Sequence, residues 1–127
     1  MAFANRIKVT TATTGTGALT LSATGVRDAT NGDCLAPAEV LSELGNRSVS
    51  YTIQSGASFA QGTGMVSADG LTLARDPNEV SWNGTTYGVG LLTLSGTSTV
   101  MVTPKASDFS ASSIGLSSAI VRGAVSL

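Results

Sequence analysis

The chain has no histidine, a single cysteine, and only three phenylalanines, two tyrosines and one tryptophan in 127 residues. Without histidine, the side chain that most often serves as general base or metal ligand near neutral pH is missing. Cys34 stands alone, so an intrachain disulfide is excluded. With no imidazole to take its proton, it reads as a small packed residue and not as a nucleophile. Charge is equally scarce. Seven Lys and Arg against eight Asp and Glu leave a net charge of −1. No basic stripe can therefore neutralise a run of phosphates, and neither a nucleic acid nor a polybasic membrane contact is expected. No apolar run approaches the roughly 18–20 residues of a membrane span, and the opening MAFANRIKV has no signal-peptide pattern.

What is present in quantity is Ser and Thr, 17 of each, and Gly, 15, beside an apolar share of 42% drawn mainly from Ala, Val and Leu. Thr and Val suit a half-buried pleated surface, whereas Gly and Ser punctuate turns. That mixture predicts an all-β chain of short strands, and the length fits one domain with one modest core.

Alternation places the strands. NRIKVTTA at 5–12 sets Ile7 and Val9 on one face, and ALTLSA at 18–23 does the same for Leu19 and Leu21, which predicts a hairpin with a longer loop. TGVRDATNGDCLA at 24–36 reads as loop. PAEVLSELG is the one helical candidate, of about two turns, with Pro37 at its start, Glu39 in its first turn, Gly45 as its stop, and Val40, Leu41 and Leu44 on its apolar face. In RSVSYTIQ at 47–54, Val49, Tyr51 and Ile53 face one way and the intervening Ser and Thr the other. Turns at Ser55-Gly56 and Ala68-Asp69-Gly70 make 47–76 a three-strand meander. A loop carrying Pro77, Trp82, Asn83-Gly84 and Tyr87 follows, and then two strands about Ser95-Gly96. The expected architecture is a compact antiparallel β-sandwich or barrel of about seven strands with one short helix. It divides into a β-domain over 1–103 and an extended C-terminal docking arm over 104–127. In the arm, Phe109, Ile114, Leu116, Ile120, Val121, Val125 and Leu127 are spread through Ser- and Ala-rich sequence.

Motifs for chemistry fail one by one. Glu39 and Glu43 are four apart, which on a short exposed helix is a pair of solvated like charges and not a catalytic dyad. Asp28-x-x-Asn31-x-Asp33 lacks the register and closing Glu of a calcium loop. The G-T-G runs TTGTGALTL and AQGTGMVSA lack the Lys and the following helix of a phosphate-binding loop. Gly62 and Gly64 instead leave room on one face of a strand for a bulky side chain, a bulge or a neighbouring backbone. Trp82, Tyr87 and Phe109 could offer a carbohydrate or nucleobase platform, but packing or a subunit contact is the more common use of such residues. No enzyme, cofactor or metal is expected.

Residues 51–103 carry a pattern of their own: Tyr51, Ile53, Gly56, Phe59, Gly62 and Gly64, then Leu73 and Arg75, then a closing Leu94-Ser95-Gly96-Thr97 with Val100, Val102 and Thr103. This resembles a small β-domain found in virion structural proteins of tailed bacteriophages, and NRIKVTTATTGTGALTL is similar to the lead-in of that domain. Ser55-Gly56 stands where the pattern has Asp-Gly, and Phe59-Ala60 where it has Trp-Glu. The resemblance implies a structural protein of the virion. With the β-domain nearly filling the chain and a docking arm behind it, it implies a capsid decoration or cement protein on the outer head surface, assembled in the host cytoplasm. Its partners would be the major capsid protein and itself, as a homotrimer matched to threefold positions on a head. The arm residues from Phe109 to Leu127, with Trp82 and Tyr87, are the candidate subunit or capsid contacts. A tail component, and beyond it a small carbohydrate-binding β-module, are the alternatives.

Overall fold

The computed structural model describes residues 2, 4–105 and 108. Its centre is the stretch with the cleanest alternation. Strand β3 (Ser48–Ser55) pairs along its whole length with β4 (Ser58–Met65), and Val49, Tyr51 and Ile53 are fully buried. The chain reverses through Gly56 and Ala57, with Gly56 at φ +61°, a conformation of the first central turn position that glycine adopts without steric cost. Opposite the three large residues stand small ones: Gly64 across from Val49, Gly62 from Tyr51, Ala60 from Ile53. The glycines are the room the sequence suggests. A methyl group on Gly64 would lie 1.8 Å from the Ala74 carbonyl oxygen, and one on Gly62 would lie 2.8 Å from both the Tyr51 hydroxyl and the Asp76 Cβ.

Around this hairpin runs a six-stranded antiparallel sheet in the order β1-β8-β3-β4-β6-β7, built with β1 (Lys8–Thr11), β6 (Val80–Trp82), β7 (Tyr87–Val89) and β8 (Ser98–Val102). A second, two-stranded sheet joins β2 (Leu19–Thr20) to β5 (Thr72–Leu73). The outermost strands, β1 and β7, do not pair with each other, so the sheet is open and the barrel alternative falls. Among the described residues eight strands occur where about seven were expected. One hydrophobic cluster joins the inner face of the large sheet (Val9, Val49, Tyr51, Ile53 and Val100) to Leu19, Leu21, Leu44, Leu73, Leu92 and Leu94. Each such aliphatic side chain stabilises the fold by about 1.5–3 kcal/mol relative to exposure.

Several expectations need correction. The first strand is shorter than 5–12 because Arg6 takes a left-handed φ of 53°. The 18–23 segment meets β1 through an isolated bridge between Thr11 and Leu21 and a bond from the Thr11 hydroxyl to the Thr20 carbonyl, and gives its strand pairing to β5 instead. For the same reason the third strand of the meander leaves the large sheet, and β6 takes its place beside β4. Before the Ser95-Gly96 turn there is no strand, only a bridge from Leu94 to Gly15. The helix divides into a 3-10 turn, Pro37–Glu39, and a single α-turn, Leu41–Leu44, because Val40 between them departs from helical geometry at φ −133°. Leu44 is buried as expected, but Leu41 is 42% exposed.

Candidate functional site

Two residues of the pattern in 51–103, Tyr51 and Arg75, meet a common partner, Glu79, inside the molecule. Tyr51, on the inner face of β3, donates its hydroxyl hydrogen to Glu79 Oε1 at 2.6 Å and accepts the Asp76 amide at 2.9 Å. Arg75 pairs with Glu79, and the two side chains are 2% and 0% exposed. The remaining guanidinium hydrogens go to the carbonyls of Gly15, 3.1 Å, and Leu92, 2.7 Å, while the Leu92 amide donates to Glu79 Oε2 at 3.1 Å. Burial, and then the hydrogen bond to Glu79, raise the Tyr51 phenol far above its ordinary pKa, so it stays protonated. Every charge in this joint is paired and none opens to solvent, which makes it an internal brace and not a catalytic constellation. Sequence reasoning missed Glu79; its only signal was the spacing of four from Arg75 across the Pro77 turn.

A second polar cluster stands where the C-terminal segment begins. Ser50 points away from the core and is nevertheless fully buried. It donates to Asp108 Oδ2 at 2.6 Å, and Lys105 Nζ reaches Asp108 Oδ1 at 2.7 Å and Ser50 Oγ at 3.1 Å. Burial pushes the Asp108 carboxyl upward, but the hydrogen bonds from Lys105 and Ser50 outweigh it and its pKa lies below the ordinary carboxylate value. The predicted contacts Phe109, Ile114, Leu116, Ile120, Val121, Val125 and Leu127 lie outside the described residues.

Trp82 and Tyr87 are not on a loop. They face each other across strands β6 and β7, because the Asn83 side chain accepts the amides of Thr85 and Thr86 and closes a tight turn, with Gly84 at φ +95°. Phe59 on β4 is register partner to Trp82, and its ring lies 6.4 Å from that of Tyr87. The structure therefore brings the two predicted aromatics together and adds a third. Beside the same hairpin is an open hollow of about 550 Å³, lined by Ser58, Ser81, Asn83, Thr86, residues 88–93 and Ser95, with no titratable side chain in its wall.

The loop with Asp28, Asn31 and Asp33 is closed by its own side chains. Asp28 accepts the Thr30 and Asn31 amides, Asp33 accepts the Asp28 amide, and the Arg6 guanidinium donates to the carbonyls of Asn31, Gly32 and Asp33. Among the described residues no three His, Cys, Asp or Glu side chains cluster as metal ligands would, and no helix is long and apolar enough to cross a membrane.

The described residues thus define an open antiparallel β-sheet protein with a braced interior and an aromatic outer face. Compared with known proteins, the chain matches no family model, no curated protein and no solved structure.

Proposed function

We propose that this is a non-enzymatic structural protein of the tailed-phage virion kind, a decoration or cement protein that binds the outer surface of a head as a homotrimer and stabilises it. In this reading the two sheets are the layers of a small sandwich, and the C-terminal arm and outer sheet face meet the shell. The observation that supports it is that Tyr51 and Arg75, both places of the phage-domain pattern, bond the same buried Glu79, with Gly62 leaving room beside the Tyr51 ring. Linked copies would multiply modest contacts with neighbouring capsid subunits. Purified chain mixed with expanded heads is expected to co-sediment with them and to run as a trimer in sedimentation velocity. A chain that stays in the supernatant as a monomer would sink the proposal, and finding it at the tail would favour the tail-component reading. The half-buried Trp82 and exposed Tyr87, paired beside an open hollow, favour one further reading, a glycan-binding module. Glycan-array signal abolished by Trp82→Ala would select it.

A further inference from the structure

The large sheet has one face in the core and one outside, and the outside face is unevenly furnished. Across β3 it is polar, with Thr52 and Gln54. Toward β7 it turns apolar: Phe59, Val80, Trp82, Tyr87 and Val89 lie on neighbouring strands in register, with Met101 of β8 on the other side of Thr52. Tyr87 is 65% exposed and Val89 73%. Exposed apolar side chains gathered on one sheet face mark a docking surface more often than singly scattered ones do.

The chain itself supplies a cover from the same side. After β8, Thr103 meets Thr52, and the Lys105–Asp108 turn closes over Ser50, a position that strand alternation would otherwise leave to solvent. Asp108, the last of the described residues, therefore lies on the outer face. A groove of about 250 Å³ lies on this face between Thr52, Met101 and the Gly56–Ser58 turn, with Phe59 in its wall. From β3 to β7 is three strand spacings, roughly 14 Å. The 19 residues 109–127 can reach roughly 60 Å when extended, several times what is needed. Their sequence suits an apolar cover, since Ile114, Leu116 and Ile120 share one parity and Val121, Val125 and Leu127 the other, with Arg122 the sole charge. Tethering at Asp108 holds the segment at an effective concentration of order millimolar, which favours its own sheet over that of another molecule.

We propose that residues 109–127 dock across the outer face of their own sheet and cover Phe59, Trp82, Tyr87 and Val89. The inference concerns the free chain and does not rest on the virion reading.

Trp82 is the only tryptophan and lies in the middle of the patch, so it reports directly. The full chain is compared with its full-length Leu116→Asp/Ile120→Asp variant, and far-UV circular dichroism checks that both fold. The variant is expected to show red-shifted Trp82 emission and an acrylamide quenching constant raised about twofold as one face of the indole is uncovered. In the unaltered chain the protection should persist unchanged through a wide dilution series. Equal quenching of the two proteins overturns the proposal. So does protection that fades on dilution as a dimer dissociates in sedimentation, since a second copy would then be the cover.

Discussion

At the scale of single residues, the glycines opposite β3 separate space from flexibility. Gly64 and Gly88 are both strand glycines, yet a methyl group on the first would meet the Ala74 carbonyl at 1.8 Å, while one on the second would meet nothing within 4 Å. Backbone cannot swing aside as a side-chain end can. Gly64→Ala is therefore expected to lose about 2–4 kcal/mol in urea denaturation through forced separation of the 73–76 segment from β4. Gly88→Ala should stay within about 0.5 kcal/mol. Equal midpoints for the two variants would show that the segment yields. The sequence announced the need for room through the G-x-G spacing on a strand; it could not say that a neighbouring backbone and a tyrosine fill it, because those partners come from elsewhere in the chain.

Among the elements, legibility follows length and locality. The β3–β4 hairpin was readable because eight-residue strands display several periods and the turn between them is local. Strands β2, β5, β6 and β7 hold two or three residues each, too few for a period, and their pairings are decided by which edge is free once the hairpin has formed. The helical segment was half readable. Pro37 and Gly45 mark its limits, and Glu39 is exposed as expected, yet it is bonded locally: it accepts the Gly25 amide at 2.8 Å and the Ala36 amide at 3.0 Å, and it pairs with Arg27. Those amides, and then Arg27, hold the Glu39 pKa at about 2 against an ordinary 4.5. A carboxyl depressed by folding favours the folded state above pH 4.5 and loses that contribution as pH falls toward 2. Urea midpoints of the chain and of Glu39→Gln should therefore differ at neutral pH and converge on acidification through that window. A gap that stays constant with pH would remove the carboxylate from the account.

For the whole molecule, the buried ion pair determines whether the parts act as one. Arg75 and Glu79 tie the Gly15 loop, the Tyr51 strand and the Leu92 segment together, regions far apart in sequence that share little regular pairing. The candidate site was legible to the extent that Trp82 and Tyr87 were identified as a pair; their strands, the third ring and the Ser50 clasp depend on nonlocal pairing that no spacing discloses. The ion pair is the strongest test of that nonlocal order. A buried charge without its partner is costly, about 3–5 kcal/mol, whereas apolar replacement of a whole buried polar group is often neutral. Glu79→Leu alone strands the Arg75 cation and leaves the Tyr51 hydroxyl and Leu92 amide without their acceptor, a large share of the roughly 5–15 kcal/mol that holds a domain folded. Tyr51→Phe/Arg75→Met/Glu79→Leu removes the stranded charge and the orphaned hydroxyl with it, and is expected to recover most of that loss despite carrying more changes. Urea unfolding followed at once by Trp82 emission and by circular dichroism makes the comparison, with coincident transitions expected because the brace spans the molecule. If the triple variant is less stable than Glu79→Leu, or the two probes part, then the brace is not one cooperative unit and its members stabilise their own segments separately.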